Sequence, residues 1–279
     1  MTEASLDELS LIVSELKSNS RLVVMLGSPE GIKSTSRQFS ALHGVVKIRR
    51  GIFIVQGFSD VHKLILESQR VISFVKTREI PSLRGKSEEG YSNRVYTVVA
   101  FSFRNATAQQ KKYVERLMRK TTAMRLRPGV ALFPILKSKD RRRILIVDDK
   151  RLLVESAEFN RLIRENGGSS LRWSRLRTVN LNGDPLIKKA IEQTLSRDLG
   201  TLEERIRSLR KRCENPTIAV SQLKKKYTVL SRSFRELKNK WLLSKKLWNY
   251  DAEKNLKRTY NMLLSTRRKI SSEETRRGG

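Results

Sequence analysis

One cysteine, Cys213, and two histidines, His43 and His62, are all that the 279-residue chain offers of those types. A lone cysteine permits no intrachain disulfide, and three such side chains cannot supply the four ligands of a structural zinc site. So few thiols fit a reducing, cytoplasmic compartment. No apolar run reaches the roughly 18 residues that a membrane span needs, and Glu3, Asp7 and Glu8 stand where a signal peptide would carry cations. The expectation is a soluble cytoplasmic protein with no membrane partner. Acidic side chains are scarce too: 28 Asp and Glu face 59 Lys and Arg, a formal net charge of +31. Most of those cations cannot find a carboxylate within the chain, so they must face water or an anionic partner.

The excess is uneven, about +3 over residues 1–90 and about +14 over each of 91–180 and 181–279. A polyanion should therefore meet the last two thirds. At 38% hydrophobic content the chain has enough apolar side chains for one or two ordinary cores.

Hydrophobic periodicity divides the chain. Leu6, Leu9, Ile12, Val13 and Leu16 recur at helical spacing and predict a helix over 5–18. Beyond it, strand patterns at 21–26, 45–48, 51–56 and 70–76 alternate with helical patterns at 34–42 and 61–68, giving the order βαββαβ. The order returns with strands at 95–103, 124–127, 130–136 and 171–179 and helices at 108–122 and 152–164, together with one extra strand at 143–147. A βαββαβ unit covers one sheet face with two helices and leaves the other open, the arrangement of ferredoxin-like folds. The sequence thus predicts an α+β protein: two tandem ferredoxin-like units, 1–80 and 94–181, joined by a Gly/Ser-rich linker at 81–93.

From 182 the period changes. Ile187, Ile191, Leu195, Leu199, Leu202, Ile206, Leu209 and Cys213 form one apolar seam, and Val220, Leu223, Tyr227, Leu230, Phe234, Leu237, Trp241 and Trp248 form another. Asn215-Pro216 breaks the chain between them. With Leu256, Tyr260, Leu263 and Leu264 on a third helix, residues 182–271 predict a basic helical hairpin or small bundle, followed by a frayed tail at 272–279.

Several motifs invite enzymatic readings. Gly27-Ser-Pro-Glu-Gly-Ile-Lys-Ser34 resembles the P-loop of nucleotide-binding ATPases, with Lys33 and Ser34 in place, but Ile32 stands where the pattern requires glycine. Ile144-Leu-Ile-Val-Asp-Asp149 resembles a Walker B strand, with Asp148 as a magnesium ligand, and also the first strand of receiver domains. A degenerate ATPase using Lys33, Ser34 and Asp148 is one alternative. Arg50-Gly-Ile-Phe-Ile-Val-Gln-Gly57 resembles the ribonucleoprotein octamer of RNA-recognition motifs and the Gly-aromatic strand of NusG-like elongation factors. Ile52, Ile54 and Gly57, however, replace the rings that would stack on bases. The second unit is similar in pattern to the small ferredoxin-like nucleases of CRISPR systems, yet its first strand ends in Arg104 rather than a metal-binding aspartate. None of these patterns assembles a nucleophile with a base, a metal set or a cofactor, so no catalysis and no cofactor are expected.

Basic clusters carry the functional reading. Lys111, Lys112, Arg116, Arg119 and Lys120 share one predicted helix, and Arg125 and Arg127 follow on a strand, where alternate side chains share a face. Arg141, Arg142 and Arg143 precede another strand. Arg172, Trp173, Arg175 and Arg177 lie on the last, where alternation would set Trp173, Arg175 and Arg177 on one face as a phosphate grip with a stacking indole. Lys224, Lys225 and Lys226 stand outside the helical seam. These residues predict a nucleic-acid-binding protein that grips mainly phosphates, with RNA slightly favoured over DNA because open ferredoxin-like sheets commonly serve single strands. A helical scaffold for an acidic protein partner is the second alternative.

Overall fold

A computed structural model describes residues 16, 19–56, 70–80, 94–138, 153–248 and 250–278. The predicted helices at 5–18 (Leu16 apart) and 61–68, the linker at 81–93 and the strand at 143–147 lie outside them. The described residues form a mixed α+β structure with an eight-stranded antiparallel sheet and six helices. The chain divides into two compact units, Met1–Arg143 with Leu153–Ile191, and Ile144–Leu152 with Glu192–Gly279.

In the first unit the elements run β1 (Ser20–Met25), α1 (Pro29–Ser40), β2 (Val45–Arg49), β3 (Ile52–Gln56), β4 (Val71–Lys76), β5 (Tyr96–Ser102), α2 (Ala108–Arg119), β6 (Met124–Arg127), β7 (Val130–Pro134), α3 (Ser156–Glu165) and β8 (Ser169–Thr178). Helix α1 starts five residues before the predicted Ser34. Ser28 caps it by accepting from Gly31 N at 3.3 Å, and Pro29 sits at the first position, where a missing N–H costs nothing.

The strand order is β2-β3-β1-β4-β8-β5-β7-β6. Its two halves follow one rule, since β2-β3-β1-β4 matches β6-β7-β5-β8 read from the other end. The sequence suggested two separate sheets. Instead β4 and β8, the edge strands of the two halves, pair through Phe74 with Thr178, Val75 with Arg177 and Lys76 with Leu176. Pairing satisfies backbone groups that two free edges would leave exposed. Val179 N still donates to Ser73 O at 3.0 Å, and beyond it a side chain extends the seam. Asn180 accepts from Ser73 N at 2.9 Å through Oδ1 and donates from Nδ2 to Val71 O at 2.7 Å.

One sheet face packs under helices. Val23, Met25, Phe53, Val55 and Val71 meet Ile32 and Phe39 of α1, while Val99, Phe101, Ala131 and Phe133 meet α2 and α3 through Val114, Leu117, Met118, Phe159 and Ile163. Strand alternation sends Leu22, Val24, Ile72, Phe74, Val98, Ala100, Leu132 and Trp173 to the opposite face. That face was expected to lie open, yet every one of these residues is buried. Burial on both faces explains why Ile52-Phe-Ile-Val55 and Val95 to Phe101 read as nearly continuous apolar runs.

The sheet also coils. β2 and β6 terminate the strand order, so a flat sheet would set them seven spacings apart, roughly 33 Å. Yet Arg127, on β6, donates to the carbonyl of Arg50 in the turn after β2, and Arg49 Nη2 donates to Ser169 Oγ at the start of β8 at 2.7 Å. An arginine spans only a fraction of the flat-sheet distance. The sheet therefore rolls around the face opposite α1, α2 and α3 and brings its two ends together.

The second unit takes α4 (Gly183–Arg212) from Glu192 onward, with α5 (Val220–Trp248) and α6 (Glu253–Gly278). The predicted seams are its core: Leu195, Leu199, Leu202, Ile206, Leu209 and Cys213 are buried, as are Leu223, Leu230, Phe234, Leu237, Trp241, Leu256 and Leu263. Ion pairs fix the directions. Lys224–Glu274 and Lys245–Glu253 join opposite ends of antiparallel α5 and α6, whereas Glu203–Arg258 and Glu214–Lys269 join parallel α4 and α6. Buried Glu203 takes two nitrogens of Arg258 and the hydroxyl of Thr259 at 2.8 Å. The tail predicted to fray from 272 is helical through Gly278, because Arg277 reaches back to the carbonyls of Cys213, Asn215, Pro216 and Ile218.

Asn180→Ala is expected to lower stability by roughly 2 to 4 kcal/mol in urea unfolding, since Ser73 N and Val71 O lose partners in a buried strand. A change within 0.5 kcal/mol would show that the side chain does not hold the seam.

Candidate nucleic-acid interface

Helix α2 carries the most regular basic surface. A reciprocal cap between Thr107 and Gln110 sets its start, and Val114, Leu117 and Met118 commit one side to the core. The helical period then turns Lys111, Lys112 and Arg116 outward, with Lys120 exposed at the cap and Arg119 half-buried. Glu115 is the helix's one acid. Arg116 Nε donates to Lys112 O at 3.4 Å and Arg119 Nε to Glu115 O at 3.3 Å, so both side chains lie back along their own helix.

The strand arginines are arranged differently from the predicted rows, and β-bulges are the cause. On β6, Arg125 pairs with Ala131 but Arg127 pairs with Val130, so two steps on one strand answer one on the other. Ala131 and Val130 point to opposite faces, and Arg125 and Arg127 do likewise. On β8, Trp173 pairs with Val98 and Leu176 with Tyr96, three steps against two. Arg175 takes up the extra residue with a left-handed φ of 56°. Trp173 and Leu176 therefore share the inward face. Arg172 and Arg177 point the other way and are exposed. The indole is 3% exposed and offers no ring to a base, which removes the expected grip of Trp173 beside Arg175 and Arg177. Arg172 Nε donates to Ser156 Oγ at 3.2 Å, which ties it to the start of α3.

In the second unit Lys224 pairs with Glu274 at 2.5 Å, while Lys225 and Lys226 are exposed on α5. Arg141, Arg142 and Arg143 lie outside the described residues, as does Asp148.

The sequence marks Arg49 only as part of a joint between two strands and Arg50 only as the start of the octamer-like segment. The structure sets Arg50 against Arg127 and Arg49 on Ser169. Burial, and then the charge of Arg50, bring the Arg127 guanidinium down to about 10, and burial also lowers Arg49. Arg49 Nη1 and Arg127 Nε are buried without a hydrogen-bond partner. The signal available in the sequence was Arg-Arg-Gly itself: Gly51 has φ 69°, and a Cβ there would stand 2.8 Å from Ile32 Cγ2 and 3.1 Å from Arg127 Nη1.

The other motifs have plain structural places. Glu30 to Ser34 form the opening turns of α1, with Ile32 in the core and Lys33 and Ser34 exposed, so the segment is helix where a P-loop wraps phosphate with free amides. Ile52 and Ile54 are buried on β3, and Arg104 is exposed after β5. Among the described residues no three His, Cys, Asp or Glu side chains gather as metal ligands. No helix among them is long and apolar enough to cross a membrane.

No model of a known protein family matches the chain, and neither does any curated protein.

A variant keeping Trp173 as its one tryptophan (Trp241→Phe, Trp248→Phe) is expected to emit blue-shifted fluorescence that resists acrylamide, unchanged by added oligonucleotide. Red-shifted, readily quenched emission would place the indole at the surface.

Proposed function

We propose that the chain is a non-enzymatic nucleic-acid-binding protein that grips phosphates, built from two ferredoxin-like units fused along an edge and a basic helical bundle. The matching strand orders of the two halves support the architecture. The outward face of α2 carries the functional reading: Lys111, Lys112, Arg116 and Lys120 project from a single helix that holds one acid. Such a face repels itself in water and gains from a line of phosphates. Exposed Arg172 and Arg177 add cations on the same unit.

The mode is backbone contact rather than base readout. Base stacking was assigned to an open sheet and to Trp173, and both are buried. Phosphate contacts position a protein on nucleic acid without reading sequence. The preference for RNA drew on the open sheet face, so the reading now covers RNA and DNA alike.

Fluorescence anisotropy against single-stranded RNA, duplex RNA and duplex DNA across a salt series tests this. Affinity should fall steeply with salt and vary little with sequence. Replacing Lys111, Lys112, Arg116 and Lys120 with Gln should weaken every substrate and flatten the duplex DNA slope by up to about 3.6, near 0.9 per lost phosphate contact. Absence of binding at low salt, or an unchanged slope in the variant, would overturn the reading.

A further inference from the structure

From the arginines gathered where the coiled sheet meets itself, we infer that the β2–β3 turn and the end of β6 form a site for a doubly charged phosphate group, held by Arg49, Arg127 and Arg50. Arg127 lies against the backbone of this turn, donating from Nη2 to the Arg50 carbonyl, and Arg49 reaches Ser169 Oγ. Ser169 Oγ in turn lies 3.1 Å from Ser102 Oγ, so the arginine is anchored on a hydroxyl pair rather than an acid. Among the described residues no carboxylate pairs with Arg49 or Arg127. Arg49 Nη1 and Arg127 Nε are buried and keep a hydrogen to give.

Unmet donors on buried cations are unfavourable, and an arriving anion answers both deficits. Several guanidinium groups at one turn favour an anion with more than one charge and several acceptor oxygens. A phosphate group, free or at a chain end, provides both, and the guanidinium fork matches it in two-pronged fashion. The partial burial of Arg49 and Arg127 admits a compact terminal group more readily than the continuous path of a strand. Gly51 belongs to the design, because a Cβ there would press on both Ile32 and Arg127.

The phosphate has two sources, a free phosphate or the phosphorylated end of a nucleic-acid strand. The second source rests on the proposed function and the first does not. The first arm of the test is thermal unfolding of the full chain in inorganic phosphate against chloride at equal ionic strength. Tm should rise saturably in phosphate for the wild type and for Arg161→Gln, an exposed change elsewhere, and the rise should vanish in Arg127→Met. Arg49→Met provides the same reading should Arg127→Met fail to fold. Equal Tm in the two salts, or a full phosphate response in both variants, would overturn the site.

The second arm compares oligonucleotides that differ in a terminal phosphate. A preference of roughly tenfold for the phosphorylated strand, abolished in Arg127→Met while the hydroxyl-ended strand binds as before, would assign the site to strand ends. A phosphate effect on Tm with no such preference would exclude strand ends and leave free phosphate as the ligand. A phosphate effect with no oligonucleotide binding would remove the proposed function and leave the site standing.

Discussion

Three residue pairs along β4 and β8 hold the first unit together as one object. They turn two four-stranded sheets, each with an edge to hide, into a single eight-stranded sheet. With the seam in place the sheet can roll, and the face opposite α1, α2 and α3 becomes an interior. The same rolling carries the turn after β2 to the far end of the strand order. Backbone bonds from Thr77 to Arg175 and from Val179 to Ser73 lengthen this short seam, and the Asn180 amide imitates one more residue of strand where the backbone leaves for α4.

Much of this was written locally. Period-two and period-3.6 patterns located all eight strands and all six described helices, and the helical seams predicted most of the buried side of α4, α5 and α6, with Tyr260 an exposed exception. The pairing of β4 with β8 was not readable, because Val71 to Lys76 and Ser169 to Thr178 carry no local mark of which edge they will meet. Nor were the bulges. A bulge changes the parity of a strand without changing its composition, so counting by twos set Arg175 and Arg177 beside Trp173, and Arg127 beside Arg125. The start of α1 was misread for a different reason. Gly27 to Ser34 resembles a phosphate-binding loop, and that likeness obscured an ordinary Ser-Pro helix start at Ser28 and Pro29.

The cations fall into two physical classes that composition alone cannot separate. Those on α2 and at Lys225 and Lys226 are hydrated, and salt in solution screens them. Arg49 and Arg127 are partly withdrawn from water, where the same charge is costlier to keep and interacts more strongly with whatever arrives. A bulk net charge of +31 describes the first class and conceals the second.

The antiparallel seam between equivalent edge strands has the symmetry of a dimer. Two separate copies of one half could join in the same way, but each would then display every side chain twice. Joining the halves in a single chain releases them from that rule. One half can keep a nearly neutral exterior while the other gathers arginine and lysine, so the chain gains a front and a back that no pair of identical subunits could have.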